Sequence, residues 1–268
     1  MQALLLICHG SRLKEGSEQA KSFVQQCIES IDTPIKEICF LELAEPSIKE
    51  GFETCIKKGA TKIAVVPVLL LSANHSKRDI PDELIKLRNQ YPAVEITYGR
   101  PFGVHESISD LLWEKINNKV SSLKDTSHVL LIGRGSSDPD VKRDLELIAK
   151  QLRERYRVPQ IQACFLTGSK PRFEDALTKI QEACDQVVIV PYLLFTGLLL
   201  KGINKTINEY KGHNEKEIMI CEALGYHPIL RKVLETRINE TLNDKERNAF
   251  VPRSLKSYKQ ISGDSRWR

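Results

Sequence analysis

Aromatic side chains are scarce in this 268-residue sequence, at 6%, and no run of basic residues is interleaved with them. That argues against a base-stacking nucleic-acid surface. The formal net charge of +5 suits a small acidic ligand without demanding a polyanion. Cysteine is present seven times, yet never as Cys-x-x-Cys. An odd count without that spacing excludes a disulfide framework and the common zinc and iron–sulfur motifs, and it fits a reducing cytoplasm. Long apolar runs are also missing. The longest, Val187 to Leu200, is broken by Pro191, Thr196 and Gly197 and falls short of the roughly 18 residues a membrane span needs. The N-terminal apolar run is short and has no basic segment before it, so no signal peptide is expected. The glycine loop Gly133 to Gly135 lacks the third glycine, and the acidic residue about 20 positions on, of a dinucleotide fingerprint.

What remains is an ordinary globular composition, 41% hydrophobic and 28% charged. It is organised around Ala3 to Arg12, ALLLICHGSR. A short apolar run bounded by a glycine turn reads as a buried parallel strand. His9, Gly10, Ser11 and Arg12 then fall at its carboxyl end, where open α/β sheets bind ligands. Strand and helix patterns alternate from there. Strands are expected at Lys36 to Glu42, Lys62 to Leu71 and Val94 to Tyr98. The helix marked by Ile48, Phe52, Cys55 and Ile56 is expected to hold Pro46 in its first turn. Such alternation implies a parallel sheet covered on both faces.

The pattern then restarts. VLLIGRGSS at Val129 to Ser137 mirrors LLLICHGSR, VVIVPYLLF mirrors IAVVPVLLL, and Ala223 to His227 mirrors Pro101 to His105. The offset stays between 122 and 125 residues (9 to 134, 42 to 167, 67 to 191, 105 to 227). A near-constant offset over half a chain marks a duplicated domain. The expected fold class is α/β: two similar doubly wound lobes, each with a mainly four-stranded parallel sheet, and an active site in the cleft between them. The expected boundaries are 1–122 for the first lobe, 123–242 for the second and 243–268 for a mobile tail, with the seam in the polar stretch Ser121 to Ser127.

Duplication supplies an internal control. His9, Glu42 and His75 in the first half face Arg134, Thr167 and Leu199 in the second. Each candidate metal or proton-transfer group of the first half therefore lacks an equivalent. All three end or follow a parallel strand, so they share one rim. Two imidazoles and a carboxylate there suit a divalent first-row metal and suit proton transfer near neutral pH. The other histidines read differently. His105 and His227 are repeat partners serving a turn or helix start, while His128 and His213 lie in polar loops. Ser and Asp residues at Ser136 to Asp138 cap the next helix. Arg134, with helix-start amides, could hold a ligand carboxylate. Leu198 to Leu200 reads as core or as an apolar wall against a bound ligand.

These residues resemble a known family. His9-Gly10-Ser11-Arg12, Glu42-Leu43-Ala44-Glu45-Pro46, and Val66-Pro67-Val68-Leu69-Leu70-Leu71 leading to His75 match the class II tetrapyrrole chelatases. So does the turn at Pro101. The resemblance spans both lobes, and it leans to the two-lobed sirohydrochlorin ferrochelatases of siroheme synthesis and the related cobaltochelatases of the anaerobic cobalamin route. It implies ATP-independent insertion of Fe2+ into sirohydrochlorin, with Co2+ or Ni2+ as alternative metals and no organic cofactor. It further implies that His9 and His75 bind the metal, that His9 accepts a pyrrole proton, and that Glu42 is the supporting acid. Glu45 and the segment Leu70, Leu71, Ser72, Ala73 and Asn74 would wall the substrate pocket, with Ser11, Arg12 and Arg134 also on the substrate. Lys77, Arg78 and Arg100 are further basic candidates for the eight ring carboxylates. The chain has no histidine-rich segment and no terminal Cys-x-x-Cys, which some cobalt-inserting relatives carry. A cytoplasmic monomer is expected, acting on the tetrapyrrole without nucleic acid or membrane. The other readings are a tetrapyrrole or metal carrier without catalysis and a two-lobed small-molecule sensor.

Overall fold

The computed structural model of the chain describes residues 1–180, 184, 186–211 and 217–243. His213, and the expected tail after Asn243, lie outside them. The described residues form two four-stranded parallel sheets. The first runs β2-β1-β3-β4, with β1 Gln2–Cys8, β2 Ile35–Phe40, β3 Lys62–Val68 and β4 Glu95–Tyr98. Between its strands run α1 Lys14–Ile28, α2 Ile48–Lys57 and α3 Ile80–Gln90, followed by α4 Glu106–Lys119. The second sheet repeats the order as β6-β5-β7-β8, with β5 His128–Gly133, β6 Gln160–Phe165, β7 Gln186–Pro191 and β8 Glu217–Ile220. Between its strands run α5 Pro139–Tyr156, α6 Phe173–Ile180 and α7 Leu198–Lys211, followed by α8 Pro228–Leu242.

The sequence dictates this plainly in β1. Ala3 to Cys8 are buried on both faces of the sheet, as a central parallel strand covered by helices must be. On one face Ala3, Leu5 and Ile7 pack with Phe52 and Cys55 of α2 and with Ile80, Leu84 and Leu87 of α3. All seven cysteines are reduced and buried. Burial pushes the Cys8 and Cys27 thiols up to about 12, so they stay protonated and act as small apolar side chains.

Three element boundaries differ from expectation. β3 stops at Val68, so Leu69 to Asn74 form a loop. β2 stops at Phe40, leaving Glu42 in the loop beyond. α2 begins after Pro46, at a capping box in which Ser47 accepts the Glu50 N–H and Glu50 accepts the Ser47 N–H. His128 opens β5 rather than lying in a loop, and its Nδ1 is buried without a partner. Burial holds that imidazole below its usual value, against a hydrogen bond at Thr126. Leu198 and Leu199 are exposed at the start of α7, not in the core.

The compact units do not follow the sequence repeat. One comprises residues 1–103 with the described residues from 231 onward, and the other residues 104–230. Each copy's last helix thus packs with the other copy's sheet. In the first unit α8 is tied in by Arg237, which is almost fully buried. Its guanidinium donates to the carbonyls of Pro101 and Phe102, at 3.0 and 2.7 Å, and to Glu240. In the second unit α4 lies on α5, where Trp113 stacks on Tyr156 with ring centroids 5.0 Å apart. Ser109 donates to Gln151 at 2.9 Å. No helix among the described residues is long and apolar enough to cross a membrane.

Candidate metal centre

In a parallel sheet ordered 2-1-3-4, the strand order reverses between β1 and β3, and a crevice opens at their carboxyl ends. His9 directly follows β1. The β1–β2 register pairs Cys8 with Phe40. The parallel ladder then continues beyond the strands, as the Leu41 N–H donates to Cys8 O at 2.8 Å and the Glu42 N–H to His9 O at 3.1 Å. This fixes His9 and Glu42 as neighbours. Gly10 permits the approach: its φ is +92°, and a Cβ there would lie 1.7 Å from the Glu42 carbonyl oxygen. Only glycine fits.

His75 arrives from β3 through the loop. It opens a π-helical turn, His75–Asp79, that leads into α3. The turn is held from below. Ser76 is buried; its hydroxyl donates to Ala73 O and accepts the Ala73 N–H. The Tyr98 hydroxyl donates to Ser76 O at 2.9 Å. The turn after β4 braces the loop, the Phe102 and Gly103 N–H groups donating to Leu69 O and Leu70 O.

His9, Glu42 and His75 converge, each offering one ligand atom, and these atoms lie within 4.8 Å of one another. The two imidazoles meet edge to face, centroids 4.9 Å apart at 87°. Two ligands at roughly 2.1 Å from one tetrahedral ion are about 3.4 Å apart, so side-chain adjustments of no more than about 1.4 Å in any pair would bring the trio onto one ion. Both rings are oriented through Nδ1. In His9 it lies 3.1 Å from Gly10 O, and in His75 it lies 2.7 Å from Asp79 Oδ2. Both partners only accept, so each Nδ1 carries a hydrogen, and in the neutral ring Nε2 keeps its lone pair. His9 Nε2 then faces Glu42 Oε1 at 3.6 Å. A cation, whether a proton or a metal ion, fits between two acceptors so placed.

The other expected site residues divide. Leu70, Leu71, Ser72, Ala73 and Asn74 are all partly exposed along the loop before His75. Ser11 accepts the Leu13 N–H at 3.1 Å and thereby shapes the entry to α1. Arg12 and Glu45 are exposed. Arg100 is engaged by Glu240, through Nη2–Oε1 at 2.6 Å and Nε–Oε2 at 2.9 Å, so its charge is spent within the first unit. Arg134 lies exposed after β5 in the second unit. Helix-start amides beside it are already served, Asp138 accepting the Asp140 N–H at 3.0 Å. His105 and His227 cap α4 and α8, accepting N–H groups of Ser107 and Ile229. Sequence reasoning missed Asp79, whose only signal was its position four residues after His75.

The second unit copies the frame without the donors. The Thr167 N–H donates to Arg134 O at 2.9 Å, as Glu42 does to His9. Gly135 has φ +86° with Thr167 O at 1.8 Å from a Cβ position, as Gly10 has with Glu42 O. Among the described residues, His9, Glu42 and His75 are the one group of three or more such side chains close enough to share an ion.

Comparison with known proteins agrees with this architecture. The chain is 45% identical over 246 residues to the sirohydrochlorin ferrochelatase of Priestia megaterium, covering 91% of this chain and 92% of that protein. It is 34% identical to a sirohydrochlorin cobaltochelatase of the same organism, over 90% of this chain and 80% of that one. The solved structure of SirB from Bacillus subtilis with Fe3+ superposes with a TM-score of 0.84 at 40% identity, covering 93% of this chain and 99% of that chain. The CbiX family matches residues 3–119 and again residues 128–241, one match for each copy of the repeat. The chain belongs to the CbiX family.

Proposed function

We propose that the protein is a sirohydrochlorin ferrochelatase, inserting Fe2+ into sirohydrochlorin to give siroheme without ATP. The observation that carries this reading is the His9, Glu42 and His75 trio, with ligand atoms within 4.8 Å, in a chain so similar to a protein of that name. The metal is a substrate here, held and then released. His9 Nε2 and His75 Nε2 offer neutral nitrogen ligands, and the Glu42 carboxylate offsets part of the ion's charge. Insertion exchanges two pyrrole N–H protons for M2+. As the ion leaves, His9 Nε2 regains a free lone pair and can take one of those protons while the Glu42 carboxylate beside it takes the other, proton transfer of this kind contributing about 10²–10⁴ in rate. Remote binding energy of roughly 1–5 kcal/mol can support bending of the ring to expose a nitrogen. Ser11, Arg12, Glu45, the Leu70 to Asn74 segment and Arg134 are the proposed ring contacts. We assign the reaction to a cytoplasmic monomer with no organic cofactor.

Cobalt insertion is the second reading, favoured by the 34% identity to a cobaltochelatase over 90% of the chain. Mixing the purified protein anaerobically with sirohydrochlorin and either Fe2+ or Co2+ separates the two. The expected result is a faster change of the ring absorption with Fe2+. A faster change with Co2+ selects the cobalt reading, and no change above the protein-free rate with either metal rejects both.

A further inference from the structure

One of the points at which the two copies of the repeat differ in length lies just past the His75 position. Pro67 and Pro191 match at an offset of 124, as do His75 and Leu199. The buried faces of the following helices match at 123: Ile80, Leu84 and Leu87 of α3 correspond to Ile203, Ile207 and Tyr210 of α7. The first copy therefore holds one residue more, and the π-helical turn His75–Asp79 is where it is taken up. Such one-residue insertions into helices recur at functional sites. The effect on the fourth residue after the histidine position is direct. In α7, four residues after Leu199 comes Ile203, which is fully buried in the core. In the first copy, four residues after His75 comes Asp79, exposed, while the core position passes to Ile80. The inserted residue thus frees a place for a carboxylate beside the imidazole without removing an apolar side chain from the core.

We infer that Asp79 is the positioning residue of the metal centre: by accepting the His75 Nδ1–H at 2.7 Å, it fixes the tautomer and the ring plane that present Nε2 to the ion. The inference rests on the metal-site reading above. Asp79 takes no part in the trio itself, and its action is through His75. A carboxylate behind a metal-bound imidazole raises the ligand's donor strength and holds its aim, and removing such a partner typically costs about 10–100-fold in metal affinity. The partner is absent from the second copy together with the histidine.

The test uses full-length protein and Co2+ as the metal probe, with affinity from titration and geometry from the cobalt absorption spectrum. Asp79 is half exposed, so Asp79→Ala is compatible with folding, which circular dichroism checks. Asp79→Ala is expected to weaken Co2+ binding by about 10–100-fold and to shift the cobalt spectrum, with sirohydrochlorin affinity unchanged. Asp79→Asn, whose amide oxygen still accepts the Nδ1–H, is expected to recover most of the affinity. His75→Ala is measured beside them. Loss of Co2+ in His75→Ala with wild-type affinity and spectrum in Asp79→Ala overturns the role of Asp79 alone. Wild-type binding in both variants overturns the site itself.

Discussion

A main-chain hydrogen bond joins two of the three converging side chains: the Glu42 N–H donates to the His9 carbonyl at 3.1 Å. It forms only because Gly10 lets the Glu42 carbonyl pass where a Cβ would stand. Gly10→Ala should therefore cost about 1–3 kcal/mol in backbone strain at φ +92°, with further cost from the overlap, and should lose Co2+ binding. Gly135→Ala, in the matching turn of the second unit, should lower the melting temperature comparably and leave Co2+ affinity intact. Thermal melts and cobalt titrations of the two variants check this contrast.

Removing the donors one at a time should separate binding from proton transfer. His9→Ala is expected to lower the insertion rate by at least about 10²-fold while the fold survives, because the imidazole lies outside the core. Glu42→Gln keeps size and hydrogen bonding but discards the charge, so it should weaken Co2+ binding more than it disturbs stability. Initial rates under anaerobic conditions, paired with metal titrations, decide the matter. Normal turnover by folded His9→Ala would remove His9 from the mechanism.

Acid should loosen the first unit through Glu240. Burial by itself would raise that carboxyl, but the hydrogen bond from Arg100 and the charge of Arg237 outweigh it and hold it below the ordinary carboxylate value. A carboxyl lowered by folding adds stability above its unfolded titration and loses it as pH falls through the folded value. Wild type should therefore exceed Glu240→Gln in denaturant midpoint at neutral pH, and the gap should close as pH falls through and below the usual carboxylate range. A gap that is constant with pH would contradict this assignment.

Arg237 should matter beyond its charge. Burial lowers its guanidinium, as does neighbouring Arg100, with Glu240 pulling the other way. Arg237→Ala strands the Pro101 and Phe102 carbonyls, each orphaned acceptor costing about 1–3 kcal/mol. Since Phe102 and Gly103 brace Leu69 and Leu70, the variant should lose insertion activity along with stability. Arg237→Lys, a point charge without the planar fork, should recover little. Urea denaturation and insertion rates of both variants measure the two effects.

Much of this was legible in the residues. The runs Ala3 to Cys8 and Lys62 to Leu71 read as buried parallel strands with polar groups sharing one rim, although the second strand ends early, at Val68. The duplication then singled out His9, Glu42 and His75 by what the second copy lacks. The rest depends on contacts that no local pattern encodes. The exchange of α4 and α8 is settled by long-range partners such as Arg237 with Pro101 and Phe102. The same exchange took Arg100 out of the basic candidates. Leu198 and Leu199 look like core because apolar side chains usually are buried, yet they open a helix on its exposed face. Asp79 was hidden because a single added residue in a helix changes which side chain faces in, and periodicity over so short a span does not register it.

The most direct measurement is the position of the ion. In a crystal of the protein soaked with Co2+, anomalous scattering at the cobalt edge should give one principal peak, with His9 Nε2, His75 Nε2 and a Glu42 carboxylate oxygen each at roughly 2.0–2.2 Å from it. A peak elsewhere, with those three side chains turned away from one another, would contradict the account.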